Sequence, residues 1–413
     1  MKVRDHLFIN ARTLSDSDTI TEDLKSLGKI QFLRCIYQAT NGATSNTLGK
    51  LNGMVSKLEV NASGENIDTV SMKELQALNY YMGQGPNGRD HLLPFQQLNS
   101  KAAGVVIEEA VINFGRFLGD RDYYFDTARF ANPQLKLTHA LTISATAGFA
   151  TGTGKLTVIA RVIEEGAPPA KGYITAKEVK SWTTGASGDV DTDLLTDAPY
   201  VGLLVKDLET LIEPDVDISN VKLFENAETF VHYNLSTTQI LQGLIEKYPP
   251  AMQRLNYLND TAVTWLSDIY GRASAFVGPA GATGKGIATT VTAEQVAVAM
   301  TTGDTGSAFL NVQGYAPHSC LWLPFGDGIE PDDFLNPAGL NLLRLRTTDG
   351  GAGGAAAVVA VQARPYLPLG LNFGVSGVRY ARAALYPGCR ELSRHHGDGD
   401  PVGPSAPRRV LGA

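Results

Sequence analysis

An internal repeat limits what this chain can fold into more than any other feature of its sequence. The segment 57–62 (KLEVNA) recurs as 222–227 (KLFENA), and the segment 130–137 (FANPQLKL) recurs as 334–342 (FLNPAGLNL). Two similar stretches in the same order indicate a duplicated unit. The offset grows from 165 (222 − 57) to 204 (334 − 130), so we expect an insertion in the second unit, most naturally in the glycine-rich stretch 271–306.

The first repeat leads into a helix in both copies. Ser71 and Glu74 in the first copy match Ser236 and Gln239 in the second. A serine followed three positions later by Glu or Gln forms a capping box, in which the hydroxyl accepts a first-turn N–H and the longer side chain reaches back to the N-cap. Apolar residues at helical spacing follow each box, so the sequence predicts helices over 72–80 and 237–245.

The second repeat places an Asn-Pro turn before a strand in both copies. The turns are Asn132-Pro133 and Asn336-Pro337. Apolar and polar residues alternate over 135–144, which is typical of a strand with one buried face. A glycine-rich link follows in each copy, and then another strand-like run. Because small residues allow tight turns, the sequence predicts a β-hairpin after each Asn-Pro.

Many short strand-like runs indicate an all-β chain with a few connecting helices. The 43 Gly and 20 Pro among 413 residues are expected for a fold with many turns, and further strands are predicted at 29–37, 201–205, 229–233 and 308–312. Each unit suits a β-sandwich with Greek-key connections. We expect an N-terminal arm over 1–19, a first unit over 20–168, a second unit over 169–370 with its larger insertion near 271–306, and a partly disordered C-terminal extension over 371–413.

Charge and cysteine content exclude several classes of protein. The formal net charge of −7 argues against a surface built to neutralise phosphates, so no sequence-specific nucleic-acid binding is expected. Cys35, Cys320 and Cys389 are odd in number and widely spaced, which predicts folding in the reducing cytoplasm without a disulfide framework. The N-terminus has no signal-peptide core, and no run is apolar enough to suggest a spanning helix.

Motifs for catalysis or cofactor binding are incomplete. A P-loop interpretation of 279–286 fails because Pro279 and Gly286 stand where glycine and Ser or Thr are required. No His-x-His with a following Glu and no Gly-x-Ser-x-Gly elbow is present. The sequence therefore predicts no catalytic residue and no cofactor.

Three aspartates are weak candidates for a metal site. Asp189, Asp191 and Asp193 have the spacing that opens a calcium-binding loop, but Leu194 stands where that loop needs glycine. The simpler interpretation is an exposed acidic turn.

Two consecutive β-sandwiches, each with a capped helix and an Asn-Pro turn, resemble the double jelly-roll major capsid proteins of adenovirus-like viruses and of tailless bacteriophages with an internal membrane. The resemblance spans about residues 20–370 and rests on architecture, on the boxes at Ser71 and Ser236, and on the turns at Asn132-Pro133 and Asn336-Pro337. It implies two tandem jelly-roll β-sandwiches (a double jelly roll) and no enzymatic activity. It also implies that three chains form a pseudo-hexagonal capsomer of an icosahedral virion assembled in the host cytoplasm.

The resemblance implies several partners as well. The first is the chain itself, in the homotrimer and in neighbouring capsomers, and minor capsid or penton proteins would follow. An internal lipid membrane is a further expected partner through the basic termini, Lys2 and Arg4 at one end and Arg408-Arg409 at the other. Solvated termini are the simpler account of these charges.

Two other functions stay compatible with the sequence. A carbohydrate- or receptor-binding β-sandwich, such as a spike or a lectin-like module, would need a concave aromatic face, yet Trp182, Trp265 and Trp322 are few and separated. A bicupin-like enzyme would need a bound metal. Glycan binding without assembly would favour the first, and a stoichiometric metal the second.

Overall fold

The computed structural model describes residues 1–44, 46, 49–83, 96–209, 212–258, 264–280, 287–292, 295–300 and 307–366. The predicted extension over 371–413, Cys389 and the loop over 281–286 lie outside the described residues.

The first half of the described chain is mostly strand. In chain order its elements are β1 (Lys2–Thr13), β2 (Ser17–Asp23), β3 (Lys29–Thr40), α1 (Leu51–Met54), β4 (Val55–Ala62), β5 (Glu65–Val70), α2 (Met72–Met82), β6 (Gln96–Asn99), β7 (Val105–Asn113), β8 (Phe125–Asp126), β9 (Gln134–Ala140) and β10 (Lys155–Glu165).

The second half has the same character with more strands. Its elements are β11 (Gly172–Thr183), β12 (Gly188–Leu194), β13 (Tyr200–Leu208), α3 (Pro214–Asp217), β14 (Ile218–Glu225), β15 (Phe230–Ser236), α4 (Thr237–Lys247), β16 (Ala251–Leu258), β17 (Thr264–Leu266), β18 (Ile269–Tyr270), β19 (Ser274–Ala280), β20 (Ile287–Thr292), β21 (Gln295–Met300), β22 (Ser307–Gly314), β23 (Ala316–Pro317), β24 (Cys320–Pro324), β25 (Leu343–Asp349) and β26 (Ala355–Pro365).

The two halves share one strand order. The strands β1–β10, which we call unit 1, form the layers β1-β10-β3-β7 and β2-β9-β4-β5. The strands β11–β26, unit 2, form β11-β26-β13-β24 and β12-β25-β14-β15. Once the insertions β6, β8 and β16–β23 are set aside, each strand of unit 1 has a counterpart in unit 2 at the same place in chain order and in its layer. The topology repeats, as the sequence does.

Neighbouring layers of the two units join into larger sheets. The edge strand β5 of unit 1 pairs in parallel with β11 of unit 2, which completes an eight-stranded sheet. The insertions β6 and β16 also pair in parallel, and they connect β7 to β22 and β19 in a nine-stranded sheet. Pairing between strands therefore links the two units at two places.

Alternating burial along the strands explains why the layers pack face to face. Every second residue of β9 and β25 is buried while the intervening ones are partly exposed, as a period of two requires. Leu137 and Val158 in unit 1, and Leu345 and Val359 in unit 2, belong to one continuous apolar core. Burying a side chain of this size stabilises the fold by about 1.5–3 kcal/mol.

The all-β prediction is confirmed, and the four further predicted strands are observed as β3, β13, β15 and β22. The predicted helices over 72–80 and 237–245 are α2 and α4. No helix among the described residues is both long enough and apolar enough to span a membrane.

The predicted hairpins after the Asn-Pro turns are wrong. β9 pairs with β2 and β4, whereas β10 pairs with β1 and β3, so the two strands lie in opposite layers. β25 and β26 are separated in the same way. An alternating pattern identifies a strand with one buried face but not its partner, and each glycine-rich link carries the chain from one layer to the other.

Two predicted segments have more structure than the sequence indicated. Residues 1–19, expected to be an arm, contain β1 and the start of β2, which pair with β10 and β9. The pattern of β1 is hard to recognise because its first residues, Lys2 to Asp5, are all exposed. The stretch 271–306 contains β19, β20 and β21 among its described residues, within a longer insertion from β16 to β23.

Candidate assembly surfaces

One backbone contact between the units lies where β5 meets β11. Thr69 is level with Lys177 in this parallel pair. The neighbouring Asp68 accepts a hydrogen bond at 2.5 Å from the backbone N–H of Ala176 and is 4% exposed. Burial raises the pKa of Asp68 to about 7, although this N–H and the charge of Lys177 act in the opposite direction. A side-by-side contact of two similar sandwiches is thus built into one chain.

The capping box of α2 is part of the same contact. Glu74 donates its backbone N–H to Ser71 Oγ at 3.3 Å, and its Oε2 accepts the Ser71 N–H at 2.8 Å. The other oxygen, Oε1, accepts the ammonium of Lys206 on β13, in unit 2. Burial lowers the pKa of Lys206, but the charge and the hydrogen bond of Glu74 outweigh it and the net shift is upward. Glu74 therefore caps a helix and joins the two units.

The capping box of α4 has the same geometry but a different environment. Gln239 Oε1 accepts the Ser236 N–H at 3.0 Å, and Ser236 Oγ accepts the Gln239 N–H at 3.3 Å. Gln239 is exposed, whereas its counterpart Glu74 is fully buried. The difference arises because unit 2 covers α2, while no described residue covers the corresponding face of α4.

A polar network attaches the insertion of unit 2 to unit 1. Asp268, just before β18, accepts hydrogen bonds from Lys50 Nζ at 2.8 Å and from Asn52 Nδ2 at 3.2 Å. Burial alone would raise the pKa of Asp268, but Lys50 and other nearby cations lower it overall. Burial lowers the pKa of His318 to about 3, so its neutral ring donates from Nε2 to Gln76 Oε1 at 2.8 Å.

Aromatic side chains complete the contact at the end of α2. The Tyr81 hydroxyl oxygen lies 2.8 Å from the carbonyl oxygen of Cys320 and 2.9 Å from that of Tyr315, and it can donate its one proton to either. Its ring stacks on Trp322 with the centroids 6.4 Å apart. Stacked rings of this kind contribute about 0.5–1.5 kcal/mol beyond their area.

Sequence reasoning missed most of these contact residues. Lys206, Asp268 and His318 belong to no recognisable motif. One usable signal was Lys206 itself, a cation directly after the apolar run 201–205, since a charge in such a strand needs a buried partner.

The two Asn-Pro turns precede the corresponding strands β9 and β25, Pro133 directly and Pro337 with five residues between. Asn132 and Asn336 are exposed, while Pro133 and Pro337 are buried. Asn132 adopts a positive φ of 45°, which asparagine tolerates better than most residues. The turns therefore lie at matching points in the chain order of the two units.

The interpretation of residues 189–193 as an acidic turn is wrong. Asp189, Asp191 and Asp193 alternate along β12, where Asp191 and Asp193 lie opposite Arg346 and Arg344 of β25 and Asp189 lies opposite Thr348. Arg346 makes two hydrogen bonds to Asp191, at 2.7 and 2.9 Å, and Arg344 makes one to Asp193 at 2.6 Å. The bond from Arg346 holds the pKa of Asp191 below its usual value. The carboxylates thus face arginines, and the described residues include no group of three potential ligands that could hold a metal ion.

A second set of carboxylates is buried beside the link between β25 and β26. Asp207 and Asp217 are 3% and 2% exposed. A Cβ placed on Gly354 would overlap Asp207 Oδ1 and would lie 2.7 Å from Asp217 Oδ2, so the two carboxylates face the same point. Burial, and then the charges of Asp217, Asp349 and Glu209, raise the pKa of Asp207 to about 8.

Comparison with known proteins gives a match in structure but not in sequence. The sequence matches no protein-family model and no curated protein. The crystal structure of the STIV MCP matches with a TM-score of 0.56 and 11% identity, over 89% of this chain and 98% of that chain. An atomic structure of Sulfolobus Turreted Icosahedral Virus gives a TM-score of 0.55 at 10% identity, over 88% and 90% of the two chains.

A third match comes from a different virus. The PBCV-1 virus capsid gives a TM-score of 0.54 at 8% identity, over 88% of this chain and 93% of that chain. The chain has the double jelly-roll fold. The predicted fold is therefore confirmed, with unit 1 and unit 2 as the two jelly rolls.

Proposed function

We propose that this chain is a major capsid protein, and that three copies form a pseudo-hexagonal capsomer of an icosahedral viral shell. The observation that carries the proposal is the duplicated strand order within a double jelly-roll fold shared with solved capsid structures. Three copies of a chain with two similar units present six similar walls, so one gene product can fill a nearly hexagonal lattice.

In this proposal the chain acts through contacts with copies of itself and catalyses no reaction. The expected partners are neighbouring capsomers, minor capsid or penton proteins and, through the termini, an internal lipid membrane. Binding to nucleic acid would not depend on base sequence. The chain would assemble in the host cytoplasm and reside in the virion.

The tryptophans provide little support for a carbohydrate-binding module. Trp265 and Trp322 are 8% and 3% exposed, and Trp182 is half-buried with its indole N–H 3.4 Å from Asp349. A lectin-like site needs aromatic faces that a sugar can reach, and these three do not form one.

Electron microscopy of the purified full-length chain over a range of concentrations tests the proposal. We expect particles with a hexagonal outline, closed shells, or both. Single particles of monomer size at every concentration would contradict a capsid role and leave only the fold.

A further inference from the structure

Two strands pair where the two units of one chain meet, and the counterparts of these two strands have no such partner. β5 of unit 1 lies beside β11 of unit 2. The counterpart of β5 is β15, and the counterpart of β11 is β1. Both counterparts end their sheets, so in the described part of the chain neither has a neighbour on its outer edge. Open edges of this kind readily pair with another strand.

The exposure of β1 reflects its missing neighbour. The first residue of β1 pairs with the last residue of β10, and the first residue of β11 pairs with the last residue of β26. Lys2 therefore corresponds to Gly172. The first four residues of β11 are all buried, whereas the first four of β1 are all exposed. Two apolar side chains of β1 are open to solvent, with Val3 42% and Leu7 49% exposed.

β15 is likewise more exposed to solvent than its counterpart β5. Ile67, Asp68 and Val70 of β5 are buried, whereas most residues of β15 are only partly buried and none is fully buried. Phe230 and Val231 are 57% and 38% exposed. The neighbouring helices repeat the contrast, since α2 is nearly enclosed and α4 exposes Gln239 and the residues one turn further on. The surface around β15 is therefore what unit 1 would present if unit 2 were removed.

We propose that β15 of one chain takes β1 of a second chain as its parallel neighbour, in the way that β5 takes β11 within one chain. The occupant is a second copy because unit 1 of another chain offers the first strand that corresponds to β11. If every chain makes this contact, unit 1 and unit 2 alternate around a ring. That the ring closes with three chains rests on the proposed function. The contact continues an interface already present in the fold.

The position of the contact follows from the bridge between Thr69 and Lys177. Because the pairing of β1 with β10 is irregular, Lys177 of β11 has two possible counterparts in β1. Counting from the first residue of each strand gives Leu7, and matching the paired residues of β10 and β26 gives His6. The β14–β15 hairpin is irregular as well, so the counterpart of Thr69 is Asn234 by its distance from the capping serine and Val231 by its partner on β14. His6 or Leu7 of one chain should therefore be level with residues 231–234 of the next.

Disulfide cross-linking tests this contact in the full-length chain. In a Cys389→Ser background, chains carrying His6→Cys or Leu7→Cys are mixed with chains carrying Val231→Cys or Asn234→Cys and oxidised, so that any bond between the two kinds of chain is intermolecular. The remaining cysteines, Cys35 and Cys320, are buried. Because neighbouring strands lie about 4.8 Å apart, a disulfide can span them.

Two control pairs show which cross-linking yields count as positive and negative. Thr69→Cys with Lys177→Cys should form a disulfide within one chain, which shows that a bridge of this geometry can be oxidised. Leu195, just after β12, is 54% exposed and serves as the matched position that should not react, paired with Leu7→Cys.

We expect at least one facing pair to cross-link about half of the chains in an equimolar mixture, because each mixed ring of three holds a single contact of this kind. The corresponding double variant should give a covalent trimer on a denaturing gel. A trimer in solution without any facing cross-link would overturn this contact and leave the capsid proposal standing. A parent protein that stays monomeric would overturn both.

Discussion

Replacing Asp207 with asparagine should make the protein more stable at neutral pH and less sensitive to pH. Neither carboxylate oxygen of Asp207 has a hydrogen-bond partner among the described residues. The nearby backbone N–H of Ile218 only partly offsets the burial that raises the pKa of Asp207 from 3.8 to about 8. Between these two values the folded protein holds a proton that the unfolded chain releases. The contribution of Asp207 to stability is therefore fully present below pH 4 and is lost as pH rises towards about 8.

The size of the effect follows from the shift. One pKa unit corresponds to about 1.4 kcal/mol, so the proton that Asp207 releases on unfolding at pH 7 lowers the free energy of unfolding by about 4 kcal/mol relative to pH 4. The asparagine side chain cannot ionise, and its amide can donate to Asp217 Oδ2, which has no partner among the described residues. The difference between variant and parent should grow by about 4 kcal/mol from pH 4 to pH 7, or roughly 5 °C in melting temperature for a chain of this length.

Thermal unfolding at pH 4 and pH 7, at one fixed protein concentration, measures this difference directly. Asp18→Asn on the exposed part of β2 is the matched control, and it should leave the pH dependence unchanged. A variant whose melting temperature follows the parent at both pH values would refute the reasoning, because Asp207 would then ionise without cost.

Other predictions concern the unit contact, the caps and the glycines, and thermal unfolding checks each. Glu74→Ala should lower the free energy of unfolding by about 3–5 kcal/mol because it leaves Lys206 buried without its partner. Combining Glu74→Leu with Lys206→Met should recover most of that loss. Equal losses in the two variants would argue against a paired charge. Ser236→Ala should cost about 1 kcal/mol through loss of the helix cap, and no change would mean that the box is not formed in solution. Gly354→Ala should cost about 2 kcal/mol or more because its Cβ would overlap Asp207, while Gly243→Ala on the open face of α4 should gain about 0.5–1 kcal/mol; a neutral Gly354→Ala would contradict the packing described here.

The repeat was visible in the sequence because its signals are local. Ser71 and Glu74, or Asn132 and Pro133, act within a few residues of backbone, so the same residue types recur wherever the same turn or cap is needed. The alternation along β9 was equally local and identified a strand with one buried face. These signals sufficed for the fold class and for the duplication.

Strand partners and contact residues could not be predicted in this way. The hairpin expected between β9 and β10 failed because pairing across a sandwich depends on residues far apart in the chain. Asp189 to Asp193 looked like a turn because the arginines opposite them lie about 150 positions later in the sequence. Glu74 was recognised as a cap, but its buried partner Lys206 is 132 residues away.

The mass of the purified full-length protein in solution, measured by light scattering over a range of concentrations, tests the central claim most directly. The capsid account predicts a species of about 132 kDa, three times the 44.1 kDa of one chain, or larger closed assemblies. A stable species of 44.1 kDa at all concentrations would contradict it, and would leave a two-unit fold whose open edges serve some other partner.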